Sequence, residues 1–236
     1  MAGHAIGVET DDEDIKVGDH ITQPRGLATT RAVSFGLHRR QSSSDRNCPL
    51  RKDDVSSRMN PLDGIDPREG CGKDCFNAVI EISLGGSNKY EIDKKTGLLR
   101  LDRVLHSAVY YPGNYGFIPR TLAEDGDALD VLVLGSMPVQ PLTIVQARAI
   151  GLMKMKDQNR LDHKIIAVAL GDPDYNGYRK LKDLPPHRLA VIRRFFEDYK
   201  VLENKSVVVK NFYPLRDART VLAAALKRYR ANHSRN

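Results

Sequence analysis

Residues 76–105 read FNAVIEISLGGSNKYEIDKKTGLLRLDRVL, and the punctuation of this stretch decides the fold class. Apolar and β-branched runs at 76–84, 89–93 and 98–105 are separated by Gly85-Gly86-Ser87-Asn88 and by Lys94-Lys95-Thr96-Gly97. Each run has the length of a strand and each separator is rich in turn-forming residues, so the stretch predicts three strands in a meander. Working outward, similar short segments recur at 116–118, 131–134, 143–152, 164–169 and 206–210, most of them β-branched. A small barrel or curled sheet uses strands of this kind.

Two helices are expected toward the end of the chain. Pro185-Pro186 suits a helix start, and Leu189, Ile192, Phe196 and Tyr199 follow at intervals of three and four. From about Asp217, read as an N-cap, Ala218, Val221, Leu222, Ala225, Leu226 and Tyr229 recur on one face. No internal repeat of solenoid or propeller length is present. The longest apolar runs, 131–134 and 165–170, are strand-sized, so no segment is expected to span a membrane.

Residues 1–70 have few apolar positions in any period and are read as a disordered N-terminal extension, with the folded domain at 71–236. The formal charge of +7 hides a division: residues 1–20 hold six acids and one base, and residues 21–60 hold eight bases and three acids. These cancel, so the folded part is basic and attracts polyanions of any size. The acidic first twenty residues match neither a secretory signal nor a transit peptide, and a cytoplasmic location is expected. The Arg- and Ser-rich stretch after them keeps plastid or mitochondrion as the alternative. Cys48, Cys71 and Cys75, an odd number behind a start that does not match a secretory signal, are read as reduced thiols, and no second cysteine pair or nearby histidine completes a zinc site with Cys71 and Cys75.

The chemistry concentrates in Glu124-Asp125-Gly126-Asp127-Ala128-Leu129-Asp130, with four acids in seven residues. Carboxylates this close repel one another unless a hard divalent cation favours their ionised form. A calcium EF-hand fits badly, since Leu129 takes the fifth ligand slot and Asp130 stands where glycine is required. Asp157 and Asp162 form a second acidic group between two expected strands. If both loops meet at one barrel mouth, four or five carboxylates converge there.

Lys89, Arg103, Tyr111, Tyr115, Lys164, Tyr199 and Lys200 supply cations and phenols suited to phosphate. A single lysine is ordinarily solvated and a single tyrosine ordinarily packs, so only their gathering carries weight. Two other functions compete. An OB-like module for single-stranded nucleic acid stacks bases on exposed aromatics along a cationic groove, whereas these tyrosines cluster beside aspartates. Another metal-dependent phosphohydrolase needs a base or sugar pocket, and neither GxxxxGK[ST] nor GxGxxG occurs.

Lys89-Tyr90-Glu91-Ile92-Asp93, Asp102-Arg103, Tyr111-Pro112-Gly113-Asn114-Tyr115-Gly116, Asp125 to Asp130 and Phe195-Phe196-Glu197-Asp198-Tyr199-Lys200 together resemble family I soluble inorganic pyrophosphatase. The resemblance runs from about Phe76 to Phe212, with motifs in the family's order, and LPPHRLAVIRRFFEDYK at 184–200 resembles its plant-type branch. It implies a mainly β fold with α, a five-stranded OB-like barrel with flanking helices. The implied activity is Mg2+-dependent hydrolysis of inorganic diphosphate, with no nucleic acid or membrane partner and with room for a homo-oligomer.

The resemblance also implies roles. Asp125, Asp130 and Asp162 bind two metals that share the nucleophilic water. Asp157 joins Asp162 on a metal carried by the substrate, and Glu81 stands at the edge of the cluster. Asp127 takes the proton from that water, while Lys89, Arg103, Tyr115, Tyr199 and Lys200 grip the phosphates, with Lys164 a further point charge beside them. Tyr111 is a phenol beside the leaving phosphate. The chain departs from the family pattern at Ala128, where proline or glutamate is usual, and at Gln158, where bacterial members often carry an acid. Neither position is a metal ligand.

Overall fold

The structure, a computed structural model, describes residues 60–233; the extension read as disordered lies, up to residue 59, outside the described residues. Among the described residues, eight strands occur in chain order: β1 (Cys75–Ile82), β2 (Asn88–Ile92), β3 (Leu99–Val104), β4 (Asn114–Ile118), β5 (Leu129–Leu134), β6 (Ile144–Asp157), β7 (Arg160–Ala169) and β8 (Val207–Pro214). Two helices accompany them, α1 (Pro186–Asp198) and α2 (Leu215–His233). Strands β1, β4, β5, β7 and β6 pair in that order, and β6 returns to pair with β1. This ring is the expected five-stranded OB-like barrel with flanking helices, and ring closure removes the open edges of the sheet.

The three-strand meander does not form as expected. β1 pairs with β4 and β6, while β2 and β3 make a separate two-stranded sheet. The residues explain the difference: β1 is buried along its whole length and takes neighbours on both edges, whereas β2 and β3 carry lysine, glutamate and arginine and stay partly open to solvent.

The expected strands 143–152 and 164–169 are also too short. Met153 and Met155 are buried while Lys154 and Lys156 are partly open, so the two-residue period continues to the end of β6. β6 and β7 then turn on Gln158 and Asn159, at φ 46° and 67°, the left-handed pair that a two-residue hairpin loop requires. Asp157 therefore closes β6, and Asp162 sits within β7 opposite Met155. Both belong to strands and not to a loop.

One edge of β6 serves β1 over Ile144–Arg148 and β8 over Gly151–Asp157. The handover falls at a bulge beside Gly151, where a Cβ would meet Leu181 Cδ1 at 2.4 Å and Tyr213 O at 2.8 Å. Alternate residues of β5 feed two cores. Val131 and Val133 join Ala218, Leu222 and Ala225 of α2, whereas Leu132 and Leu134 join Ile192, Phe195 and Phe196 of α1. α1 has proline in its first turn, as expected. α2 begins two residues before Asp217, which is consequently not an N-cap. It lies in the first turn, where a carboxylate favours the helix dipole, with Lys154 Nζ 3.7 Å away.

Packed chain also precedes β1. Leu62 and Ile65 lie against Val79, Ile92 and Phe117, and Asn77 Nδ2 donates to the Asp66 and Glu69 carbonyls at 3.0 and 3.1 Å. Cys71 and Cys75 are free thiols, Cys75 buried at the start of β1; Cys48 is outside the described residues. Among the described residues, no helix is long and apolar enough to cross a membrane.

Candidate active site

A cavity of about 310 Å³ opens between the β2–β3 hairpin, the turn before β5 and the far end of the β6–β7 hairpin. The turn is tied at its base by Thr121, whose hydroxyl donates to the Ile118 carbonyl and accepts from Leu129 N–H at 2.8 Å. At its tip Ala123 N–H donates to Asp127 O at 2.7 Å, and Gly126 holds φ 94°, a conformation that favours glycine. Asp125 and Asp127 stand on this rim, and Asp130 reaches into the cavity from β5.

Sheet register sets the cavity's centre. The parallel pair Val131–Ile165 puts Asp130 beside Lys164, and β4, on the other side of β5, delivers Tyr115. Lys164 is 2% exposed and donates to Asp130 Oδ2 at 2.6 Å, Asp162 Oδ1 at 2.7 Å and the Tyr115 hydroxyl at 2.9 Å. Burial works to lower the pKa of this ammonium, but the two carboxylates outweigh it and hold the group protonated far above its ordinary range. Nearby, Lys200 donates to Asp157 Oδ2, while Asp157 Oδ1 is buried with no partner among the described residues.

Glu81 accepts from Ile92 N–H at 2.9 Å. Burial, reinforced by the Asp130 charge, pushes its carboxyl up to about 8. Lys89 from β2 is held between Glu91 and Asp102, the latter at 3.1 Å. Tyr199, the C-cap of α1, is buried against Phe195 and Phe196.

The cavity thus brings together every residue given a role from the sequence except Arg103 and Tyr111; Glu124, the first acid of the motif, also lies outside it, with Arg228 Nη1 3.8 Å away. Tyr111 lies one layer behind it, 1% exposed, with its ring 5.2 Å from Tyr115 and 4.6 Å from Phe195. Burial raises its pKa and keeps the phenol protonated. Arg103 turns toward Asp102 and Glu203. The site tyrosines pack as a buried cluster and present no row of open faces, unlike a nucleic-acid groove.

Several side chains at the site escaped the sequence reading. Lys94 Nζ reaches Asp127 Oδ1 at 2.6 Å and Gly126 O at 3.4 Å, although Lys94-Lys95-Thr96-Gly97 carries only turn character in the sequence. Leu62 also lines the cavity, from the stretch read as part of the extension. Glu91 and Asp102 sit beside Lys89 and Arg103 in the sequence, a signal that was available. Glu203 contacts Arg103 across a separation of 100 residues, for which no local pattern exists.

The donor set fits a hard divalent metal, because all its ligating atoms are oxygens and Asp157 Oδ1 is buried with nothing to bind. Among the described residues no three acidic, histidine or cysteine groups close around one centre. The lysine ammoniums stand against the carboxylates instead.

A closed OB-like barrel whose mouth gathers carboxylates and lysines defines the class: an OB-like barrel protein with a site suited to a divalent cation and a phosphate anion. Residues 78–230 match the model of the inorganic pyrophosphatase family. A soluble inorganic pyrophosphatase of Solanum tuberosum is 58% identical over 154 residues, 65% of this chain and 73% of that one. One from Arabidopsis thaliana is 59% identical over 143 residues, 61% of this chain and 68% of that one. Among solved structures, the inorganic pyrophosphatase of Thermus thermophilus superposes with a TM-score of 0.65 at 40% identity, over 67% of this chain and 93% of that one. That of Helicobacter pylori gives 0.65 at 44% identity, over 66% and 94%. The chain belongs to the inorganic pyrophosphatase family, on its plant-type branch.

Proposed function

We propose that this chain hydrolyses inorganic diphosphate to two phosphates with magnesium as its cofactor. The observation that carries the reading is the meeting, in one cavity, of the Asp125–Asp130 turn with Asp157 and Asp162, all interleaved with lysines. Diphosphate is dense in negative charge and repels an anionic nucleophile, so a site that hydrolyses it must supply positive charge and remove a proton from water.

Asp125, Asp130, Asp157 and Asp162 would hold magnesium, with Glu81 behind them. When bound there, the metal lowers the pKa of water and neutralises charge on the phosphates. Asp127 accepts the proton of the attacking water from its place on the open rim. Lys89, Lys164 and Lys200 attract phosphate oxygens as point charges, and Arg103, whose Nε and Nη1 are held by Glu203 and Asp102, has Nη2 left for them. Tyr115 and Tyr199 orient the substrate through their hydroxyls. Tyr111 stays a neutral phenol and can donate its proton toward the leaving phosphate.

The test is phosphate release from diphosphate, ATP and a simple phosphate ester, each at saturating magnesium. Turnover of diphosphate well above the other two is expected. Preference for ATP or for the ester would replace this reading with that of a different phosphohydrolase.

A further inference from the structure

We propose that Glu203 is a positioning residue for Arg103, fixing the direction in which the guanidinium offers its remaining edge to a phosphate group. The proposal rests on the reading of Arg103 as a phosphate-binding residue.

Arg103 comes from β3, and Glu203 from the 3₁₀ turn Val201–Glu203 directly after Lys200. Their side chains are 19% and 4% exposed, and Arg103 Nε donates to Glu203 Oε1 at 2.7 Å. Arg103 Nη1 donates to Asp102. Nη2 is buried and has no partner among the described residues. A guanidinium is a rigid planar fork, so fixing Nε and Nη1 also fixes where Nη2 points. A buried donor without an acceptor is costly, and an anionic oxygen is the acceptor that this cation fits best.

Glu203 is itself held from both sides. Its second oxygen accepts from Lys205 Nζ at 3.1 Å. Its N–H donates to Lys200 O at 3.0 Å, and Asn204 closes the turn with N–H to Val201 O at 3.1 Å and φ 55°. Burial pushes the Glu203 carboxyl up, but the bonds from Arg103 and Lys205 outweigh it and keep it below the usual carboxylate range. The group is an anion at neutral pH. An ion pair this buried gains little net stability over an apolar pair of the same shape, so stability alone does not account for it. The same turn follows Tyr199 and Lys200, and thus links the two phosphate-side lysine and tyrosine groups to the aim of Arg103.

The experiment measures kcat and KM for diphosphate at saturating magnesium, with thermal unfolding alongside, for Glu203→Ala, Glu203→Gln, Arg103→Ala and the Arg103→Ala/Glu203→Ala double variant. Glu203→Ala should raise KM about tenfold, the worth of one charge-assisted hydrogen bond, with kcat changed less than about threefold. Glu203→Gln keeps an acceptor for Nε and should recover most of that loss. In the Arg103→Ala background, Glu203→Ala should add nothing to KM. Lower thermal stability with KM unchanged, or fully additive KM effects, would overturn the proposal and leave Glu203 a structural ion pair. Unchanged kinetics in Arg103→Ala would instead remove the phosphate-binding reading of Arg103, and no diphosphate turnover by the parent chain would remove the proposed function; the proposal falls with either.

Discussion

Residues of similar chemistry take different parts because their surroundings differ. Asp127 has a side chain 68% exposed, paired with Lys94, whereas Asp130 is bound to a buried lysine on the adjoining strand. If Asp127 is the proton acceptor, Asp127→Asn should lower kcat by about 10²- to 10⁴-fold and leave the magnesium requirement nearly unchanged. Asp125→Asn and Asp130→Asn should instead raise the magnesium needed for half-maximal rate. Rate-against-magnesium curves for the three variants decide between these outcomes, and equal, magnesium-rescuable defects would make Asp127 only another ligand. Glu81 carries a pH signature. Its carboxyl is raised from the ordinary 4.5 to about 8, so in the metal-free protein the folded state holds a proton that the unfolded chain releases. Stability from this group is fully present below 4.5 and is lost as pH rises through about 8. Metal-free Glu81→Gln should therefore lose less thermal stability than the parent chain between pH 5 and pH 9, and parallel curves would contradict the assignment. The crowded aspartates were legible in the sequence because four acids in seven residues demand an explanation. The pairing of Arg103 with Glu203 was not, since it depends on a distant turn folding back.

At the scale of elements, the short apolar runs and the glycine-rich separators were enough to place every strand, and the three-four spacing placed both helices. Pairing was less legible. Nothing local says that β1 leaves β2 to pair with β4 and β6, because that choice depends on closing the ring. The end of β6 is hard to read because alternating Met and Lys looks polar, although the methionines are buried, and the start of β7, Arg160-Leu161-Asp162-His163, holds no buried residue to mark it. Gly116 tests the ring most sharply. A Cβ there would lie 1.9 Å from Val79 O and 2.8 Å from Ile80 Cα, both backbone atoms of β1. Gly116→Ala must force β1 and β4 apart and should cost about 3 kcal/mol or more, a fall in Tm of roughly 6–12 °C for a domain of this size. A change under about 2 °C would show that the two strands can separate cheaply.

For the whole molecule, the barrel supplies one end at which the ends and turns of several strands meet, and the site is assembled there from residues far apart in the chain. Among the described residues, every group that lines the cavity lies at or after Leu62, and Leu62 and Ile65 pack on the barrel itself. A chain shortened to begin at Asn60 should keep most of its turnover, while one beginning at Gly72 should unfold at a lower temperature. Loss of turnover from the first, despite unchanged circular dichroism, would assign the preceding residues a part in the chemistry. The central claim is that these carboxylates serve diphosphate hydrolysis by holding magnesium. It is tested most directly by the initial rate of phosphate release from diphosphate as magnesium is titrated into metal-free protein, with calcium in a parallel series. Calcium accepts more ligands at longer distances than magnesium, so it can take the carboxylates without activating water as well. The account predicts no turnover without metal, a rate that rises to saturation with magnesium, and suppression of that rate by added calcium. Full turnover in the absence of metal, or with calcium alone, would contradict it.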